Sequence, residues 1–140
     1  MIQRMEVADE LAGLGLFADL TSAQRQGVAH TFDEQWFPEG QRILREGLTG
    51  SGFYVVLEGE VAVRANGIDV ASIGRGDFFG EISALLDEPP VADVVALRAV
   101  RCLHLPAAQL QELLLAYPAI TFRMLLEQTR RLRSASKWQR

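Results

Sequence analysis

The sequence predicts a mainly β domain: an antiparallel barrel or sandwich with helices before and after it. Three observations predict it. Short runs rich in Val, Ile, Phe and Tyr recur from residue 42 to residue 105, divided by glycine- and proline-marked turns. Asn66-Gly67 lies between two such runs, and both residues tolerate the positive φ of a tight type I′ hairpin turn. Outside this region the apolar spacing becomes helical.

The elements follow in order. Val7, Leu11, Leu14 and Leu16 recur at near-helical spacing within residues 5–19 and lead into Phe17. Asp19-Leu20-Thr21-Ser22 marks a turn and a helix N-cap, with a short helix over residues 23–31. Pro38-Glu39-Gly40 is a turn and residues 42–45 a short strand, before a loop punctuated by Gly47, Gly50 and Gly52. Residues 53–64 read as one long strand, or two broken at Glu58-Gly59. The second part alternates, with Val61 and Val63 on one face and Glu60, Ala62 and Arg64 on the other. Residues 68–73 return from the hairpin, Gly74 and Gly76 close another turn, and residues 91–96 and 100–105 give two more strands. Pro106 ends the β region and starts a helix over 107–116. Pro118 breaks that helix and opens the last one, about 119–135.

At 140 residues and 15.5 kDa, the chain reads as one domain able to bury a core without staples. The single cysteine, Cys102, excludes an internal disulfide framework and a multi-cysteine zinc site. No apolar run reaches a membrane span, and MIQRMEVADE turns acidic where a signal peptide needs apolar residues. The reading is a cytoplasmic protein without membrane contact. Residues 1–118 carry 8 Lys/Arg against 17 Asp/Glu, net −9, whereas residues 119–140 carry 6 against 1, net +5. An acidic body argues against direct nucleic-acid binding. The basic tail reads first as a solvated helix face and second as a contact for an acidic partner.

The densest cluster is Gly74-Arg75-Gly76-Asp77-Phe78-Phe79-Gly80-Glu81-Ile82-Ser83. A glycine turn feeding a helical turn would leave the N–H groups of Gly80 to Ser83 free for an anion. Ionised Glu81 only accepts hydrogen bonds, so it suits a sugar hydroxyl rather than a phosphate. Cys102 and His104 stand two apart on a strand and share a face. Two ligands are too few for a structural zinc site, and a buried cysteine is usually core. No Ser–His–Asp, HExxH or Walker pattern is present. No catalytic residue, metal or cofactor is therefore assigned, and the protein reads as a non-enzyme.

Three segments together resemble the cyclic-nucleotide-binding domain family, the sensor module of catabolite-activator-type regulators and kinase regulatory subunits. They are Leu16-Phe17-Ala18-Asp19-Leu20-Thr21, the run from Pro38-Glu39-Gly40 through Phe53 to Val61, and Gly76-Asp77-Phe78-Phe79-Gly80-Glu81-Ile82-Ser83. The resemblance implies an eight-stranded, jelly-roll-like β-roll over 37–105, N-terminal helices over 1–36 and C-terminal helices over 106–140. It leaves no residues for a DNA-binding domain. It implies cAMP or cGMP as ligand, with the phosphate on Gly80, Glu81, Ile82 and Ser83 and on the Val91–Ala92 segment. Glu81 would accept from the ribose. Val63, Val70 and Ile73 would line the apolar side, although ordinary core residues would show the same pattern.

The family's cassette ends in Pro-Arg, and that arginine pairs with the phosphate. This chain has Pro89-Pro90-Val91-Ala92-Asp93, so neither register supplies a cation, and Asp93 adds negative charge. Losing such an ion pair costs about 2–5 kcal/mol, or roughly 30- to 4,000-fold in affinity. Arg64, Arg75 or Arg123 could substitute from other elements. The expected function is a regulatory sensor module with weakened or lost cAMP/cGMP binding. The alternative is a ligand-independent interaction or dimerisation module on the same fold. Phe122, Leu125, Thr129 and Leu132 recur at 3-4-3 spacing on the last helix. They are the expected homodimer or partner interface, unless that seam covers the barrel.

Overall fold

A computed structural model describes residues 2–48 and 52–138, with side chains for 7–48 and 52–135. Helix α1 (Ile2–Leu11), a 3-10 turn (Gly15–Phe17) and α2 (Ser22–Thr31) come first. Thr21 caps α2: its hydroxyl accepts from the Gln24 amide at 3.1 Å, and Gln24 Oε1 accepts from the Thr21 amide at 2.9 Å. This reciprocal capping box satisfies two otherwise unpaired donors. The strands are β1 (Asp33–Phe37), β2 (Arg42–Leu44), β3 (Phe53–Glu58), β4 (Val61–Ala65), β5 (Ile68–Ile73), β6 (Phe78–Phe79), β7 (Asp93–Ala96) and β8 (Val100–Leu105). Helix α3 (Glu81–Leu86) sits between β6 and β7, and α4 (Ala107–Ala116) and α5 (Pro118–Trp138) close the chain.

The eight strands form two antiparallel sheets, ordered β1-β8-β3-β6 and β2-β7-β4-β5. Strand β3, FYVVLE, is buried up to its last residue. It meets a separate core on each face, as the two-residue strand period allows. Phe53, Val55 and Leu57 pack beneath the helices with Phe17, Phe32, Leu110 and Ile120. Tyr54 and Val56 join Leu44, Val61, Ile73 and Val94 between the sheets. Strand β8 divides in the same way, with Leu103 and Leu105 under the helices and Val100 and Cys102 inside the roll.

The hairpin turn is as read from Asn66-Gly67, with φ of +55° and +75°. Three strands differ from the sequence reading. Strand β1 begins at Asp33, so strand pairing starts inside the segment expected to be helical. Its first three residues are polar, and exposed Trp36 lies 5.6 Å from the Arg101 guanidinium. No apolar alternation therefore marked it. Strand β6 has only two residues, too few for any period to register. Strand β7 starts at Asp93, later than expected, and α5 reaches Trp138.

Candidate ligand-binding site

The site begins where β6 ends. Gly80 has φ of +88°, and a Cβ there would collide with the carbonyl oxygen of Gly52. Only glycine makes this turn and this close approach together. The turn feeds α3 and places Glu81 inside the protein, only 2% exposed. A cavity of about 120 Å³ lies in front of it. Gly80, Glu81, Ile82 and Ser83 form one side, Val91 and Ala92 another, and Val63 and Ile73 the β4–β5 wall.

Eight of the nine expected ligand-side residues thus come together, and Val70 does not. It is 62% exposed and outside the cavity. The β4–β5 ladder shifts between Val63 and Arg64, leaving Val70 without an opposite residue. The expectation for Val70 came from the family resemblance; two-residue alternation alone already sets it on the face opposite Ile73, and the bulge leaves it outside the ladder.

The cassette segment brings no cation. Pro90 is buried, and its carbonyl accepts from the Gly47 amide at 2.9 Å. Asp93 does not line the cavity. One of its oxygens accepts from the Glu46 amide at 2.8 Å and the other lies 4.0 Å from Arg42, so it holds β2 against β7. The three arginines considered as substitutes are engaged elsewhere. Arg64 donates to Asp69 at 2.6 Å, Arg75 to the Leu57 carbonyl at 2.8 Å, and Arg123 to Asp19 at 2.7 and 3.0 Å. Arg75 and Arg123 line a different cleft of about 490 Å³, between the 13–16 segment and α5.

The cation that does line the cavity is Arg131 of α5, which the sequence reading missed. Its Nη2 donates to Asp77 Oδ1 at 2.8 Å and to the Phe78 carbonyl at 2.7 Å. Its Nη1 donates to Glu81 Oε2 at 3.3 Å and its Nε to Glu127 Oε2 at 3.1 Å. Gln128 donates to the same Glu81 oxygen at 2.8 Å. The guanidinium also stands 4.5 Å from the Phe78 ring centre. Ile120 and Met124 mark the buried stripe of α5, and one further turn of that stripe gives Gln128 and Arg131. The sequence reading followed the apolar seam instead. That seam faces away from the roll: Phe122, Leu125 and Leu132 are 57%, 59% and 68% exposed. The Thr129 hydroxyl donates to the Leu125 carbonyl at 2.8 Å.

Among the described residues no three His, Cys, Asp or Glu side chains gather as a metal site. Burial pushes the Cys102 thiol up to about 12, while His104 Nδ1 lies 3.1 Å from Asp33 Oδ1. No described helix is long and apolar enough to cross a membrane.

A β-roll with a glycine-turned helix facing a cavity, and a long C-terminal helix beside that cavity, has the form of a small-ligand sensor domain. Comparison with known proteins defines it further. Residues 34–117 match the cyclic nucleotide-binding domain, and the chain belongs to that family. It is 30% identical over 113 residues to a cAMP-dependent protein kinase regulatory subunit of Eremothecium gossypii, covering 80% of this chain and 25% of that protein. The catabolite activator protein of Thermus thermophilus superposes with a TM-score of 0.77 at 27% identity, over 87% of this chain and 60% of that one. The regulatory subunit of a cAMP-independent protein kinase A from Trypanosoma brucei gives 0.76 at 27% identity, over 91% and 47%. The chain therefore spans less than two thirds of each of these relatives.

Proposed function

We propose that the chain is a non-catalytic regulatory module whose affinity for cAMP and cGMP is weakened because the phosphate side of its pocket lacks the cassette arginine. The observation that carries this reading is the cavity wall itself. Pro90, Val91 and Ala92 face Gly80–Ser83 across about 120 Å³, and none offers a positive charge. That volume is below the roughly 300 Å³ at which small-molecule sites usually begin. A nucleotide would therefore have to shift α5 and its Arg131 contacts. The names of the relatives, a regulatory subunit and an activator, support a regulatory role. The cAMP-independent relative agrees with a fold kept while its ligand response changes.

Calorimetric titration with cAMP and cGMP tests this, with Val91→Arg and Pro90→Arg as gain-of-charge variants. The wild type should bind at high micromolar or weaker. At least one arginine variant should tighten by roughly 30-fold or more, the lower end of a recovered charge-assisted pair. Submicromolar wild-type binding would overturn the weakening. Absence of heat in all three proteins would overturn the nucleotide reading.

A second reading is favoured by the outward seam of α5. Phe122, Leu125 and Leu132 present apolar surface at helical spacing, as a dimer or partner helix would. On this reading the module works through association, with or without a ligand.

A further inference from the structure

We propose that Arg131, carried by α5, is the anion-binding group of this pocket, and that Asp77 and Glu127 hold it in reserve. The proposal rests on the cyclic-nucleotide reading above. Arg131 is the cation lining the cavity among the described residues. It stands in the wall between two spaces. Glu81 borders the ligand cavity, whereas Asp77 and Glu127 border the larger cleft on the other side. One guanidinium thus faces three carboxylates, at 2.8 Å for Asp77, 3.1 Å for Glu127 and 3.3 Å for Glu81. Arg130 adds only a 3.5 Å contact to Glu127 from a largely exposed side chain.

The longest of the three contacts is the one on the cavity side. An incoming phosphate therefore exchanges with Glu81 first. The planar fork of Arg131 suits two phosphate oxygens as well as it suits a carboxylate. Glu81 keeps its hydrogen bond from Gln128 and is released to accept from a sugar hydroxyl. Binding is weak because it replaces one ion pair by another while two more carboxylates pull Arg131 away. The relevant cation is thus present but committed, and it comes from α5 rather than from the cassette.

The test is calorimetric titration of cAMP, and of adenosine as a ligand without phosphate, against four proteins. These are wild type, Val91→Arg, Arg131→Gln and the double variant Asp77→Asn/Glu127→Gln. The double variant leaves Glu81 in place and removes the charges behind Arg131. It should bind cAMP about 5- to 10-fold more tightly, the order expected for freeing Arg131 from two partly exposed ion pairs. Arg131→Gln should lose cAMP binding, and adenosine binding should be the same in wild type and both of these variants. Should Arg131→Gln melt early, the double variant alone decides. Equal cAMP affinity in wild type, Arg131→Gln and the double variant would overturn the role of Arg131 and leave the nucleotide reading standing. No heat from any protein, Val91→Arg included, overturns both.

Discussion

At the scale of single residues, fold and site use the same atoms. Gly80 is required by its positive φ and by the Gly52 carbonyl, and the turn it makes is what buries Glu81. Cys102 shows the opposite case, a reactive side chain made inert by its place. It is fully buried between the sheets, and burial alone lifts its thiol to about 12. Its labelling by a thiol reagent at pH 8 should therefore follow global unfolding, and rise to the rate of a free thiol only in denaturant. Rapid labelling of the native protein would show that the roll opens locally at β8. The contiguous stretch Gly80–Ser83 was legible in the sequence because turn, helix start and acceptor lie within four residues. Arg131 was not, because it reaches Glu81 across a sequence separation of 50. Val70, expected from the resemblance alone, lies at the β4–β5 bulge and outside the cavity.

At the scale of elements, α5 carries the most information per turn. Its buried stripe at Ile120 and Met124 docks it, Gln128 and Arg131 continue that stripe into the pocket, and Phe122, Leu125 and Leu132 face away. Arg123 tethers the helix to the segment before α2 through two bonds to Asp19. The hydrogen bond from Arg123 holds Asp19 below the usual carboxylate value of 3.8. A carboxylate with a lowered native pKa stabilises the fold above the unfolded value and loses that contribution as pH falls through the native one. Melting temperatures of wild type and Asp19→Asn should thus differ by a constant amount from pH 5 to 7 and converge below pH 4. The pair is exposed, so the difference should be a few degrees at most and shrink in high salt. A gap that persisted at pH 2.5 would assign Asp19 a role other than its charge. The strands most legible beforehand, β3 to β5 and β8, are those long enough to show a period. Strands β1 and β6 were lost, one to polar composition and one to brevity.

At the scale of the whole molecule, part of the charge asymmetry of the sequence becomes internal. The basic C-terminal segment folds against the acidic body through Arg123–Asp19 and Arg131–Asp77–Glu81. Those two cations are thereby withdrawn from any outside partner, whereas Arg130 and Arg133 stay exposed on α5 alongside the apolar Phe122, Leu125 and Leu132. An apolar seam of that kind can pair with a second copy of itself about a two-fold axis. Sedimentation equilibrium should then show a concentration-dependent dimer for the wild type. Leu125→Glu combined with Phe122→Glu should give a monomer whose melting matches that of the wild type at concentrations too low for the dimer. Both side chains are more than half exposed, so the monomer's own stability should move by no more than about 0.5 kcal/mol. If the wild type stays monomeric at hundreds of micromolar, self-association is excluded as the use of the seam, and α5 then meets a different chain. If the charged variants lose stability as monomers, the seam is part of the fold rather than an interface.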